Sequence, residues 1–210
     1  MSVASALATG KAVTPHLATE AVTQALAKAG LAQANGIVLF LSAHFAHHAP
    51  AAVVAAARSG SCLAVFGMVA HGLLTEAGWS LDQPAAAALV LGGRLALGAG
   101  GEHGPLAQIS LTSQSLFPAQ WTRGTPRYGL QANGPVWQRG RCEATAVAAT
   151  IRGARCLTAV STGLRPLPPE QHADAVRGFD LLHSNGLTAA DSLARALPGD
   201  LREKKPLPLH

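Results

Sequence analysis

The chain has 210 residues, of which 13% are charged, and a formal net charge of +5. This length is sufficient for one large domain with its own core, or for one domain plus a partial second. Its three cysteines are irregularly spaced and form no C-x-x-C pair, which indicates neither a disulfide framework nor a zinc ribbon and favours a reducing, cytoplasmic location. The sequence contains no run of 18 apolar residues and no signal peptide, so we expect no membrane partner.

The first predicted elements are a helix and a strand. Thr14 and Pro15 supply an N-cap and a proline at the first helical position, apolar residues then recur at helical spacing, and Gly30 ends the helix. The continuous apolar run Ile37–Ser42 predicts a strand that is buried on both faces. Such a strand belongs in the middle of a sheet.

A second helix and a second strand follow. Pro50 opens a short helix rich in alanine and valine, which ends at Ser59 and Gly60. Residues Leu63–Gly67 then predict another buried strand. A helix between two buried strands is typical of a β-α-β unit, so the chain is predicted to open with the order α-β-α-β.

The second half of the chain is predicted to be mostly β-structure. Its expected strands, separated by turn residues, are Ala86–Leu91, Ala107–Leu111, Val136–Cys142, Ala144–Ile151 and Arg155–Ser161. Six glycines between residues 92 and 104 predict a mobile loop or a backbone that closely approaches a neighbour. A capping box from Thr188 to Asp191 begins a last helix, which ends before Pro198. These elements predict an α/β fold, with α+β as the alternative, in which helices flank a mixed β-sheet core.

Histidines cluster directly after the first predicted strand. His44, His47 and His48 are close in sequence, and imidazole nitrogen suits zinc, copper and nickel. Together with His71 and His103 they define one alternative function, a metal-dependent hydrolase. No acid or cysteine lies beside the cluster, so we predict no metal site. His71 follows the second strand, at the edge where open α/β sheets usually bind ligands.

Other catalytic and cofactor motifs are absent from the sequence. No serine lies in a G-x-S-x-G motif, and the glycine-rich segment lacks the Lys-Ser/Thr of a phosphate-binding loop. Cys62, Cys142 and Cys156 lie in or beside predicted strands, where thiols are usually inert. We therefore predict no cofactor and a protein that is not an enzyme.

Arginines dominate the charge between residues 123 and 165, where Glu143 is the only acid. A positive field over this segment suits either phosphate contacts with a nucleic acid or a pocket for a small anion. The arginines are spread over several predicted strands and would face different directions. We therefore expect a solvated surface or a small-anion pocket and no nucleic-acid partner.

Several segments carry a likeness to a known family. In chain order they are Ile37–Ser42, Val65–Gly72, Tyr128–Leu130, Val136–Gly140 and Val160–Leu167, followed by Phe179–Gly186 and Ala190–Leu197. This order resembles the N-terminal part of the FIST domain family, which is proposed to be an intracellular sensory module for small ligands. The resemblance implies a FIST N-like sensory domain over residues 1–167. Residues 168–210 would be a C-terminal extension, the start of a truncated FIST C-like part.

The resemblance also implies a non-catalytic signal-transduction module that binds a small ligand, such as an amino acid or another small carboxylate. We expect the ligand at the C-terminal edges of the first two strands, beneath the glycine-rich loop. The residues expected to contact it are Gly67, His71, Gly72, Arg139, Arg141 and Arg165. The arginines would hold a carboxylate by bidentate hydrogen bonds. Besides the ligand, the expected partner is a FIST C-like domain or a signalling protein, and a structural or partner-binding half-domain is the remaining alternative.

Overall fold

A computed structural model describes residues 2–100, 108–113, 118–122, 126–132, 134–143, 145–154, 172–178, 180–197 and 199. The chain divides into two compact units, Met1–Thr158 and Ala159–His210, and the predicted boundary at residue 167 stays a prediction. The described residues form the helices α1 Pro15–Ala29, α2 Ala49–Ser59 and α3 Ala189–Ala196. They also form the strands β1 Val3–Thr9, β2 Gly36–Ser42, β3 Val65–Ala70, β4 Gly72–Thr75, β5 Gly78–Leu81, β6 Ala85–Leu91, β7 Ala96–Ala99, β8 Gln108–Thr112, β9 Arg127–Gln131, β10 Val136–Gln138, β11 Arg141–Glu143, β12 Ala146–Arg152, β13 Ala173–Arg177, β14 Asp180–Ser184 and β15 Leu187–Thr188. The predicted α/β class is confirmed.

A six-stranded mixed sheet forms the centre of the first unit, in the order β1-β6-β2-β3-β10-β11. Strands β2 and β3 are parallel neighbours joined through α2, which confirms the predicted β-α-β unit. Strands β1, β6 and β10 run antiparallel to their neighbours. Because β1 precedes α1, the chain opens with β-α-β-α-β. The sequence did not indicate β1, since alanine and serine have weak strand propensity.

The pleat of β2 separates two layers of core. Ile37, Leu39 and Leu41 are fully buried in a cluster with the apolar faces of α1 and α2. Val38 points to the opposite face and joins a second cluster with Phe66 and other residues. A strand with apolar residues on both faces therefore lies between the helices and a second layer, as its continuous apolar sequence predicted.

Helix α1 has the predicted bounds. Pro15 lies in its first turn, and Gly30 closes its C-terminus in the left-handed region at φ 66°. Thr14 occupies the N-cap position as predicted, although its side chain makes no capping hydrogen bond. None of the helices formed by the described residues is long and apolar enough to cross a membrane.

A four-stranded sheet in the order β7-β12-β8-β9 supplies the second layer. Leu111 of β8 and Val147 of β12 are buried against Phe66 and Met68 of β3. Strand β7 lies inside the glycine-rich segment and pairs with β12, so residues 96–99 form a sheet edge and not a loop. Residues 101–107 of that segment lie outside the described residues.

Several predicted strand boundaries were shifted or wrong. The predicted strand Val136–Cys142 is a hairpin of β10 and β11, because Arg139 and Gly140 form a turn between them. Strand β3 is displaced toward its C-terminus from the predicted Leu63–Gly67, and β12 from the predicted Ala144–Ile151. Strands β6 and β8 match their predictions closely, whereas Arg155–Ser161 lies outside the described residues.

The second unit contains a three-stranded antiparallel sheet, β13-β14-β15, followed by α3. Asn185 and Gly186 have positive φ values of 50° and 73° and turn the chain between β14 and β15. The Thr188 hydroxyl accepts a hydrogen bond from the Asp191 N–H at 3.2 Å and donates one to the Asp191 carboxylate at 2.7 Å. The N-cap half of the predicted capping box is therefore confirmed, whereas the Asp191 carboxylate accepts from the Thr188 hydroxyl and not from its backbone N–H.

Candidate functional site

Gly67 is a buried residue in the middle of β3, where it lies opposite Leu39 of β2. A β-carbon at residue 67 would overlap the carbonyl oxygen of Leu39 and would lie 2.8 Å from Trp137 Nε1. Only glycine allows the backbones to approach this closely. Its position gives Gly67 a role in packing the central strands.

His71 and Gly72 lie at the C-terminal edge of β2 and β3, and both are exposed. A cavity of about 220 Å³ opens there, lined by Phe40, Ala70, Gly72, Leu73, Leu74, Ala87 and Leu130. No charged side chain of the described residues lines it. This edge therefore suits an apolar group better than it suits a carboxylate.

Arg139 and Arg141 lie at the opposite, N-terminal edge. Strand β10 runs antiparallel to β3, with Trp137 opposite Gly67, so the residues that follow Trp137 return toward the start of β3. The six residues of β3 span about 16 Å at about 3.3 Å per residue, so one small ligand cannot contact both edges. Arg165 lies outside the described residues. The predicted ligand-contacting residues thus divide between two places.

Three adjoining cavities of about 770, 520 and 260 Å³ open at the N-terminal edge. Arg139 lines all three, and Arg141 lines the two larger ones. Arg58 from α2 and Arg152 from β12 line one smaller cavity each. The largest cavity is lined by Leu63, Ala64, Gly100, Gln138, Arg139, Arg141 and Glu143. Elements from both sheets and one helix therefore converge on this edge.

The turn between β10 and β11 positions the arginines. Arg139 and Gly140 both have positive φ, at 51° and 72°, as in the type I′ turns that close two-residue hairpins. The Gly140 N–H donates to the Val65 carbonyl at 3.3 Å, and Gln138 Nε2 donates to the Ala148 carbonyl at 2.5 Å. These two bonds tie the turn to β3 and to β12. Arg139 is thus presented to the cavities from a fixed backbone.

The electrostatics of the N-terminal edge are strongly positive. Four arginines line the three cavities, whereas Glu143 is the only acid among the described lining residues. All four arginines are exposed, so their charges remain accessible to a solute. Because guanidinium groups donate in a planar fork, this arrangement can bind a carboxylate or another small oxyanion.

The histidines remain dispersed and exposed. His44, His47 and His48 all face solvent, and His44 Nδ1 lies 3.4 Å from the Ser42 hydroxyl. Within the described parts of the chain, no three histidine, cysteine, aspartate or glutamate side chains are grouped closely enough to hold a metal ion. His103 lies outside those parts. The described histidines therefore provide no metal centre.

The two described thiols are disfavoured as nucleophiles. Desolvation raises the pKa of Cys62, more strongly than a backbone hydrogen bond at Ala64 lowers it. Desolvation also raises the pKa of Cys142, and the neighbouring Glu143 carboxylate raises it further. Both thiols are therefore mainly protonated near pH 7. Cys156 lies outside the described residues.

Arg127 is engaged within the four-stranded sheet. Its Nη1 donates to Gln108 Oε1 at 2.6 Å and to Ser110 Oγ at 3.3 Å, and its guanidinium lies 4.7 Å from the centre of the Trp121 ring. These contacts hold the side chain against buried polar residues. Arg127 is thus a structural cation, which removes one arginine from the surface that the sequence suggested.

Arg58, Gln138 and Arg152 belong to the candidate site but were not among the residues that the sequence singled out for ligand contact. Sequence reasoning could have selected Arg152, because it lies in the arginine-rich segment. No sequence feature linked Arg58 to the site, because it comes from α2, some 80 residues earlier in the chain. Only the fold brings these side chains together.

Comparisons of the chain with protein-family models, with curated proteins and with solved structures found no match. The family membership suggested by the sequence order therefore stays a prediction. A functional assignment has to rest on the residues of the N-terminal edge and on their geometry.

Proposed function

We propose that the protein is a non-catalytic sensory module that binds a small carboxylate, such as an amino acid, at the N-terminal edge of its central sheet. One observation carries the proposal: Arg139, held at positive φ by a hairpin turn, lines three adjoining cavities together with other arginines. The resemblance of the sequence to the N-terminal part of the FIST family supports the same class of function. In that family's scheme, a signalling partner or a FIST C-like part reads the bound state.

The composition of the largest cavity supports an amino acid in particular. Arg139 and Arg141 supply forks that match the two oxygens of a carboxylate, and Gln138 adds an amide. Glu143 lines the same cavity and can accept a hydrogen bond from an ammonium group. The volume of about 770 Å³ falls in the usual range for small-molecule sites. Opposite charges in one cavity suit a zwitterion.

The positive φ of Arg139 supports the proposal that an arginine at this position serves ligand binding and not stability. A non-glycine residue in the left-handed region costs about 1 kcal/mol, and asparagine is preferred over arginine in the first position of such a turn. Stability alone therefore favours asparagine at residue 139. Strained residues of this kind cluster at binding sites, where the surrounding structure holds them in place.

The experiment compares ligand binding and stability in Arg139→Asn, Arg141→Ala and Lys11→Ala. A thermal-shift screen of amino acids and small carboxylates identifies a ligand, and titration calorimetry gives its dissociation constant for each variant. We expect Arg139→Asn to weaken binding by at least about tenfold while it raises stability by about 1 kcal/mol, so that lost binding cannot come from unfolding. Lys11 is exposed after β1, whose last residue Thr9 pairs with Ala85 at the other end of the sheet. Its removal controls for net charge.

Two results would count against the proposal. One is a flat melting temperature across millimolar concentrations of every amino acid and carboxylate in the screen. The other is an equal loss of affinity in Arg139→Asn and Lys11→Ala, because this would indicate attraction to overall charge and not to the cavities. Arg141→Ala should weaken binding without the gain in stability, since Arg141 lies in a strand and has no positive φ.

A further inference from the structure

Strand β9 lies at one edge of the four-stranded sheet and pairs with β8 in parallel. The Gln108 N–H donates to the Pro126 carbonyl at 3.0 Å, and the Ala132 N–H donates to the Thr112 carbonyl at 3.1 Å. In a parallel pair, alternate residues direct both backbone groups at the neighbouring strand, and the residues between them direct theirs away. Tyr128 and Leu130 therefore bond β8, while the backbone groups of Gly129 and Gln131 face outward.

This outward edge is open along a groove. Among the described residues, no other strand pairs with β9. A cavity of about 460 Å³ follows the strand and is lined by Ser110, Trp121 and all the residues of Arg127–Gln131. A groove that runs along consecutive residues of an edge strand has the shape needed to accept another extended strand.

The side chains of β9 leave the edge unprotected. Leu130 is 52% exposed and Tyr128 is 38% exposed, and residues 128–131 include no charge and no proline. The edge strand β11 of the central sheet differs, because it is three residues long and carries Arg141 and Glu143. Short length and charge are the devices by which proteins prevent strands from pairing at an edge. Strand β9 is five residues long, and its one charged residue, Arg127, is held against Gln108 and Ser110.

We propose that β9 of one chain pairs antiparallel with β9 of a second copy, about a two-fold axis at Leu130. In this register Leu130 faces Leu130 of the second copy as a non-hydrogen-bonded pair, in which side chains approach most closely. Gly129 faces Gln131 of the second copy, and their outward backbone groups exchange hydrogen bonds. Tyr128 faces Ala132 of the second copy. The two four-stranded sheets become one continuous eight-stranded sheet.

A second copy fits this edge because the strand is complementary to itself. The two-fold register buries the exposed Leu130 against its own counterpart and places no like charges opposite each other in residues 128–132. The hydrogen-bonded pair joins glycine to glutamine, which leaves room beside the backbone. The interface is small, and each chain carries a net charge of +5, so we infer a reversible dimer that depends on concentration and on salt.

Analytical ultracentrifugation of the ligand-free full chain, at about 0.15 M salt and from about 1 to about 200 μM, tests the pairing. The wild type should approach twice the monomer mass at the upper concentrations. Gln131→Pro removes an outward N–H and leaves the bonds to β8 intact, so it should weaken association by at least about tenfold. Gln131→Ala keeps the N–H and should associate like the wild type.

Charge substitutions test which surface associates. Leu130→Lys should give a monomer throughout the concentration range. Leu63→Lys changes a residue that is 78% exposed and lies before β3, at the N-terminal edge of the central sheet, whereas Leu130 lines the cavity at the C-terminal edge. This variant should leave self-association unchanged. Equal loss of association in both variants would overturn the proposal, because it would indicate general adhesion between apolar residues.

Disulfide crosslinking identifies the register of the pairing even if a proline or lysine variant folds poorly. Leu130→Cys places two cysteines directly opposite, with α-carbons about 4.5 Å apart, within the range that a disulfide spans. It should therefore crosslink on oxidation, measured against a Cys142→Ser background that lacks the exposed native thiol. Tyr128→Cys faces Ala132 and should crosslink far less. A monomeric wild type at every concentration, or equal crosslinking of the two variants, would refute the pairing.

Discussion

Substituting Gly67 by alanine should destabilise the first unit, because this glycine lies in a close approach between the two central parallel strands. The new β-carbon would overlap the Leu39 carbonyl oxygen and would press on Trp137 Nε1 from 2.8 Å. Neither neighbour can move cheaply. Leu39 belongs to the middle of a six-stranded sheet, and Trp137 is fully buried.

The size of the effect follows from these contacts. Overpacking a core usually costs about 1 to 3 kcal/mol and costs more where backbone has to shift, so we expect about 3 kcal/mol or more for Gly67→Ala. In a unit of this size that corresponds to a fall in melting temperature of roughly 6 to 12 °C. All three tryptophans, Trp79, Trp121 and Trp137, lie in the first unit, so their fluorescence during urea or thermal unfolding reports on that unit alone.

Gly72→Ala is the matched control. A β-carbon there would meet only the end of the Leu81 side chain, at 2.6 Å, and Leu81 is half exposed and free to rotate. We expect a cost below about 1 kcal/mol, offset in part by the lower entropy of the unfolded chain. The reasoning fails if Gly67→Ala melts within about 2 °C of the wild type, or if both variants fall equally.

Three further predictions concern other parts of the fold. Trp137→Phe should cost less than about 2 kcal/mol in urea unfolding, well below the usual loss for a large buried aromatic, because it removes an indole N–H that has no hydrogen-bond partner among the described residues. Thr188→Ala should speed hydrogen exchange at the Asp191 amide and cost about 1 kcal/mol in the second unit; unchanged exchange would contradict the cap. A hydrogen bond from the Ser5 hydroxyl is the main cause that lowers the pKa of Glu76, and Lys28 contributes less. The ionised Glu76 carboxylate therefore adds stability near neutral pH, and this stability is lost as the pH falls through the lowered pKa. The difference in melting temperature between wild type and Glu76→Gln should therefore shrink as the pH falls below about 4.3, the ordinary pKa of glutamate, and a constant difference would refute this.

Sequence patterns anticipated the elements whose signals are local. Helix α1 and strand β2 lie within a residue of their predicted bounds, because proline, glycine and an uninterrupted apolar run mark them directly. Strands β1, β7 and β9 were not anticipated. Strands β1 and β7 are rich in alanine or glycine, which carry little intrinsic strand preference, and β9 is interrupted by Gly129; pairing with β6, β12 and β8 makes them strands.

The candidate site likewise combines features that the sequence indicated with features that only the fold produces. The sequence indicated an arginine-rich segment, and it drew attention to Arg139 and Arg141. It did not indicate the turn at residues 139 and 140, whose reversal of direction carries both arginines to the N-terminal edge of β3 instead of the C-terminal edge. Nor did it indicate that Gly67 would be a packing residue, since its contact with Leu39 joins residues 28 positions apart.

By itself, the sequence determined the α/β class, the central β-α-β unit and the excess of positive charge in the second half, because each depends on residues that are near one another in the chain. The tertiary structure decided which end of the sheet holds that charge, that Gly67 packs between the central strands, and which strand edge is unpaired among the described residues. Those properties depend on strand order and direction, and these are set by contacts between residues that are far apart in sequence.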